Sequence, residues 1–367
     1  QIAELDQHIA QALWVANRIQ AIALTDHNTV MGLEPLLASL SEECRLGIIA
    51  GAEMTTCLQI DANRTLGLHL LAYFRLKGAS PDLHQLNQDE RQSFFAGLRR
   101  DYVPLLNKVL EGVNERFGVY LPELIAEKNP ELGITEEEIS DAAKARLAPL
   151  DNLLAQCHIK PGDQPIVVAH TDVARLLERR GYSSAAAHSM LGRSGEFYIG
   201  YDHPWRRYPI QELAREFRDI AKDSPVDVRL SLAHPYTYVR WFRKNGATQS
   251  VAYSRVDTII RDLHAGGLLD AIEVLYPQYH RRFLAQHEAD SETIWKENRI
   301  SATEIRKERY HAEEAQRHFG NLARELGLKV TGGSDFHGVP DTRMIGIGNG
   351  ELAVPSRLAR ELFDLEP

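Results

Sequence analysis

The sequence is short of the features that mark several large protein classes. It has three cysteines, Cys44, Cys57 and Cys157, far apart and without CxxC spacing. That excludes a disulfide framework and a zinc knuckle, and it reads as reduced thiols in a cytosolic protein. No apolar run approaches the roughly 20 residues that span a bilayer, and no signal-peptide pattern is visible. Positive charge is not in excess: the net charge is −9, so the surface as a whole repels long nucleic acid and any basic cleft is local. Internal repeats and low-complexity tracts are absent. A first methionine is lacking too. The chain opens at Gln1 inside a helix-like pattern of Ile2, Leu5, Ile9, Leu13, Val15 and Ile19. A parallel α/β fold places a strand before such a helix, so the expectation is that residues upstream of Gln1 are missing.

Hydrophobic residues make up 44% and charged residues 25% of the 367, a globular balance in a chain long enough for one large α/β domain or a domain carrying an insertion. Six short apolar runs end in, or contain, a potential metal ligand. Ala21–Leu24 leads to Asp26 and His27, and Leu46–Ala50 leads to Glu53. Leu66–Ala72 contains His69, and Leu230–Ala233 leads to His234. Ala271–Tyr276 carries Glu273, and Leu328–Thr331 leads to Asp335 and His337. The runs are too short for ordinary helices and rich in Ile, Leu and Val, which predicts buried parallel strands. Ligands at the carboxyl ends of such strands converge on one face of a barrel or open sheet.

Residues 84–160 are helical in pattern and highly charged. Leu105, Val109, Val113 and Phe117 share a helical face, and Thr135 with Glu138 forms a Thr-x-x-Glu capping box. The predicted division is a barrel from 1–77 and 226–367, with 78–225 as an inserted, mostly helical, substrate-capping region. Residues 302–326 read as a long helix, and 344–350 as a last strand and turn.

Single histidines beside apolar runs are commonly core or surface residues. Four such signals in one register relative to their strands point instead to a hydrolytic metal site. Asp335 and His337 stand one residue apart, so in an extended segment both face one ion. Pro235 restricts His234 to an extended backbone, which holds the imidazole at the strand tip. Glu53 has two oxygens with which to bridge ions, and Asp26 can orient a ligand. Mixed histidine and carboxylate ligation suits Zn²⁺, Mn²⁺ or Fe²⁺. Glu273 is either a strand-end carboxylate of the site or a structural acceptor. His170, Asp172 and Arg175 are either site residues or a polar helix start. Arg193 and His203 either contact an anion or belong to a solvated loop.

Together, TDHNTVMGL, GAEMTT, HLLAYF, LAHPYTY, IEVLYPQYH and GGSDFHG resemble the PHP (polymerase and histidinol phosphatase) family of metal-dependent phosphoesterases, over about residues 1–80 and 165–350. The resemblance is nearest to stand-alone members with an inserted domain that act on nucleoside phosphates and short RNA ends. It implies a distorted, TIM-like (β/α)₇ barrel holding two or three divalent metal ions. It implies His27, Glu53, His69, His234, Asp335 and His337 as ligands, with His69 the least typical in spacing. Asp26, Glu53 and His234 are the candidate catalytic residues; His170, Arg193 and His203 are the candidate substrate contacts. The expected activity is hydrolysis of a phosphate monoester or terminal phosphodiester on a small nucleotide or short oligonucleotide end. No membrane or long nucleic acid is expected as a partner.

Two departures stand out. The family opens with a strand ending in His-x-His and a following Asp, which nothing here supplies. Its Thr-Arg-x-His helix start is replaced by Ala169, His170, Thr171 and Asp172, which bears on the substrate more than on the reaction. The alternatives are a histidinol-phosphate-type phosphatase, which the long insertion disfavours, and a non-catalytic scaffold, which has no use for this ligand set. An amidohydrolase lacks both His-x-His and a carboxylated-lysine candidate here.

Overall fold

Side-chain alternation along two long strands decides the architecture. The computed structural model describes residues 21–39, 47–148, 166–192, 195–275, 302–333 and 361–363. Strand β1 (Ala21–Leu24) is followed by helix α1 (Leu33–Ser39), then by β2 (Gly47–Asp61) and β3 (Arg64–Leu76). After a helical stretch come β4 (Val226–Leu232), β5 (Ala271–Leu275) and β6 (Lys329–Gly332). The six form one curled sheet in sequential order, a half-barrel in a mixed α/β fold.

The expectation of uniformly parallel strands is corrected. β1 pairs with β2, β4 with β5 and β5 with β6 in parallel, but β3 runs antiparallel to both β2 and β4. The reason is local. At the end of β2, Asp61 accepts from the Asn63 N–H at 3.0 Å and from Arg64 Nε at 2.7 Å. This closes a tight turn that folds β3 straight back on β2.

Because the side-chain period is two, each strand has two distinct faces. Ile48, Ala50, Ala52 and Met54 of β2, Leu66, Leu68, Leu70, Ala72 and Phe74 of β3, and Val226, Val228, Leu230 and Leu232 of β4 all point into the main core. Helices cover that face. The helix Ile210–Asp223 contributes Ile210, Leu213, Ala214 and Phe217, spaced as one helical stripe. Ile210, Leu213 and Phe217, fully buried, each stabilise by about 1.5–3 kcal/mol. The opposite face is different in kind. Ile49, Leu71, Tyr73, Ala233 and Ala271 form a small apolar floor with Leu362 and Phe363. In the same register stand Glu53, Thr55, His69, Ser231, Glu273 and Thr331.

Among the described residues, every named element from Leu83 to Asp223 is helical. The earliest of them, through Phe94, Leu98, Tyr102 and Leu105, pack into the main core as the helix Ile210–Asp223 does, while those between Leu121 and Leu191 build a second core around Leu121, Ile125, Ile139, Val173, Leu177, Phe197 and Trp205. Within it α2 (Glu136–Leu147) begins at the Thr135–Glu138 capping box, both reciprocal hydrogen bonds being present. Its Arg146 clamps Asp172, in the first turn of α3 (His170–Arg179), through Nε–Oδ1 at 2.8 Å and Nη2–Oδ2 at 3.1 Å. Asp172 also accepts from the Ala169 N–H at 2.9 Å, so it is both a cap and half of a buried ion pair. Among the described residues no helix is long and apolar enough to cross a membrane.

The loop between the second core and the helix Ile210–Asp223 lies along the β2–β3 hairpin. Asp202 Oδ1 accepts from the Thr65 N–H at 3.1 Å, and the Tyr208 carbonyl accepts from the Cys57 N–H at 3.0 Å. Gly67 has to be glycine for the Tyr201 ring to sit there, since a Cβ would come within 2.3 Å of it.

Candidate metal centre

The polar face of the sheet gathers His27, Glu53 and His69. One donor atom from each lies within 4.8 Å of the others, an arrangement that could hold a metal ion. Three local features place them. His27 follows β1 and bridges to Glu53, whose N–H donates to the Asp26 carbonyl at 3.1 Å and whose carbonyl accepts from the Asn28 N–H at 2.9 Å. Asn28 takes the left-handed conformation, φ 58°, which asparagine tolerates better than most residues. Its side chain clamps Thr55, accepting from the backbone N–H at 2.8 Å and donating to Oγ1 at 3.3 Å. His69 stands directly across from Thr55 in the antiparallel register, which sets its imidazole beside Glu53.

The carboxylate is the hub. Glu53 Oε1 lies 2.5 Å from His69 Nδ1 and 3.5 Å from His234 Nε2, and the two imidazole nitrogens are 3.3 Å apart. The rings meet edge to face, with centroids 5.6 Å apart for His27 and His69 and 5.0 Å for His69 and His234. Glu53 and His234 are buried, and His27 and His69 are half-buried. Burial pushes the Glu53 carboxyl up. The charges of His27 and His69, with hydrogen bonds from His234 and His69, outweigh that and hold it well below the usual glutamate range. Glu53 is therefore ionised at neutral pH, the form a cation needs.

Two separations around Glu53 and His69 have the size found in metal sites. Donors around one tetrahedral ion, at about 2.0–2.1 Å from it, stand about 3.3 Å from each other. The His234–His69 and His234–Glu53 separations of 3.3 and 3.5 Å are of that size. The His69–Glu53 contact of 2.5 Å is that of a hydrogen bond.

His234 departs from the expected backbone. It is not extended but left-handed, with φ 31° and ψ 60°, as the N-cap of α4 (Pro235–Lys244). Pro235 does close the right-handed region to it. The chain must also turn from β4 into a helix within two residues, and the left-handed conformation achieves this. The Asp26 carboxylate lies against Gly32, where a Cβ would stand 2.7 Å from Oδ2. His170 is exposed in the first turn of α3, its ring 6.2 Å from that of His188. His203 stacks edge-on against Tyr120 at 4.6 Å. Arg193, Asp335 and His337 lie outside the described residues, as do residues 1–20 and 344–350, Cys44 and Cys157.

Two supporting residues escaped the sequence. Asn28 is one. The other is Tyr238, whose buried hydroxyl accepts from the His69 N–H at 2.9 Å, an amide that the sheet ladder leaves to it. Burial, with the nearby Glu53 charge, pushes its phenol well above the usual range, so it stays neutral. The signal was its position four residues after His234, on the same face of α4.

No family model, curated protein or solved structure matches this chain.

Proposed function

We propose that this protein is a metal-dependent phosphoesterase of the PHP kind, hydrolysing a phosphate monoester or terminal phosphodiester on a nucleotide or a short oligonucleotide end. The observation that carries the proposal is the convergence of His27, Glu53 and His69 donors within 4.8 Å, with His234 alongside. In this proposal His27, Glu53, His69 and His234 hold Zn²⁺, Mn²⁺ or Fe²⁺. Asp335 and His337 complete a site of two or three ions. A divalent ion there supplies Lewis acidity, polarising a phosphoryl oxygen and making water a nucleophile near neutral pH.

The chain's own residues do the rest. Glu53, kept anionic by its histidines, fixes the charge of the site. Tyr238 holds the His69 backbone, and the apolar floor of Leu71, Ala233 and Ala271 restricts water beneath the reacting group. Cys57 lies on the same sheet face, farther along β2, and feels the charge of Arg207. The buried Arg207 Nη1 makes no hydrogen bond among the described residues. A guanidinium donor beside the site face supports a substrate with a second phosphate or a phosphodiester backbone. His170, Arg193 and His203 are proposed to contact the same substrate.

Phosphate release from the full chain should disappear on chelation and return with Mn²⁺ or Zn²⁺. Across mononucleotides, nucleoside bisphosphates, short oligonucleotides and histidinol phosphate, the nucleotides should be preferred. Turnover indifferent to chelator would defeat the metal mechanism, and preference for histidinol phosphate would defeat the substrate class. Tight ion binding with no turnover on any of them would leave a binding module.

A further inference from the structure

We infer that Glu273 is a positioning residue of the ion site: its carboxylate fixes the backbone of His234 and so aims the His234 imidazole at Glu53 and His69. This rests on the ion-binding reading above. Between Leu232, the last residue of β4, and Pro235, the first of α4, only Ala233 and His234 turn the chain. His234 does so at φ 31°, a backbone conformation that a residue with a Cβ holds only when its surroundings enforce it. The enforcing contact is the His234 N–H donating to Glu273 Oε2 at 2.9 Å, within the fold interior.

Glu273 is well placed for this. It comes from the adjacent parallel strand β5 and is 6% exposed. A buried carboxylate is costly unless it receives strong hydrogen bonds, and an amide donating to a carboxylate is one of them. Room for it is provided at Gly333, where a Cβ would stand 2.8 Å from Glu273 Oε1. The result is felt on the same residue. With its main chain held, His234 presents Nε2 at 3.3 Å from His69 Nδ1 and 3.5 Å from Glu53 Oε1. Released, the His234 main chain returns toward the extended region that a residue before proline prefers, and the ring swings off the site.

The test uses Co²⁺ binding to the full chain, read by calorimetry and by the visible d–d spectrum, which reports coordination. Glu273→Gln keeps an oxygen acceptor and should bind Co²⁺ within a few-fold of the unmodified protein, with its spectrum. Glu273→Ala should bind about 10–100-fold more weakly, with an altered spectrum. In a His234→Ala background, Glu273→Ala should cause no further loss, because its effect passes through His234. Gly333→Ala, which crowds the carboxylate without removing it, should weaken Co²⁺ in the same direction and serves if Glu273→Ala does not fold. Unchanged affinity in Glu273→Ala or in Gly333→Ala overturns the inference. So does an equal loss in the His234→Ala background, which would make Glu273 a general staple of the fold. Glu53→Ala separates the two levels: if it binds Co²⁺ as tightly as the unmodified protein, the ion site itself is misassigned.

Discussion

Glu53→Gln is expected to lower Zn²⁺ or Mn²⁺ affinity by more than about 100-fold, since losing even a supporting partner of a metal ligand costs 10–100-fold. The substitution keeps the shape of the side chain and removes its charge. Glu53 is the one anion among His27, His69 and His234 and contacts two of those rings directly. A thermal shift assay reads the same loss. An ion at 100 times its dissociation constant stabilises by about 2.7 kcal/mol, which raises the melting temperature of a chain this size by several degrees. Glu53→Gln should abolish that rise. His188→Ala, at an exposed histidine in the helical segment, should keep it. An ion-dependent shift that survives in Glu53→Gln would place the bound ion elsewhere.

The second large effect concerns the helical segment. Asp172 is fully buried and its carboxylate is held by Arg146 through both oxygens. Arg146→Ala should therefore cost about 3–5 kcal/mol in urea unfolding, because it strands a buried charge. The double variant Arg146→Met/Asp172→Leu should recover most of it, since apolar replacement of a whole buried pair is often neutral. A loss below about 1 kcal/mol from Arg146→Ala would mean that water reaches Asp172.

This pair also shows where sequence reasoning succeeds and where it stops. A polar helix start was legible at His170–Asp172, but its partner Arg146 comes from another helix, and no local pattern announces a contact 26 residues away. The strand runs before His27, Glu53 and His234 were legible because apolar β-rich runs and their polar ends are local signals. The long helix at 302–326 was legible for the same reason. The direction of β3 was not. The Glu53–His69 spacing looked long for the family pattern; the turn at Asp61–Arg64 folds the 15 intervening residues into a hairpin that sets the two side by side. The His234 backbone was misjudged for a related reason. The rule for residues before proline closes one region, and the choice between the remaining two is made by the strand-to-helix turn and by Glu273, both tertiary. Glu273 itself was visible as a strand-end carboxylate, but its work on the His234 amide needs the β4–β5 pairing.

We propose that an ion binds on the polar face of the sheet between His27, Glu53 and His69. Anomalous diffraction at the zinc edge, from crystals of the full chain grown with Zn²⁺, tests it most directly. The expected result is a peak about 2.0–2.2 Å from one donor atom of each of the three. A protein that binds Zn²⁺ with no peak between these side chains, or with its peaks only at surface carboxylates, would contradict it.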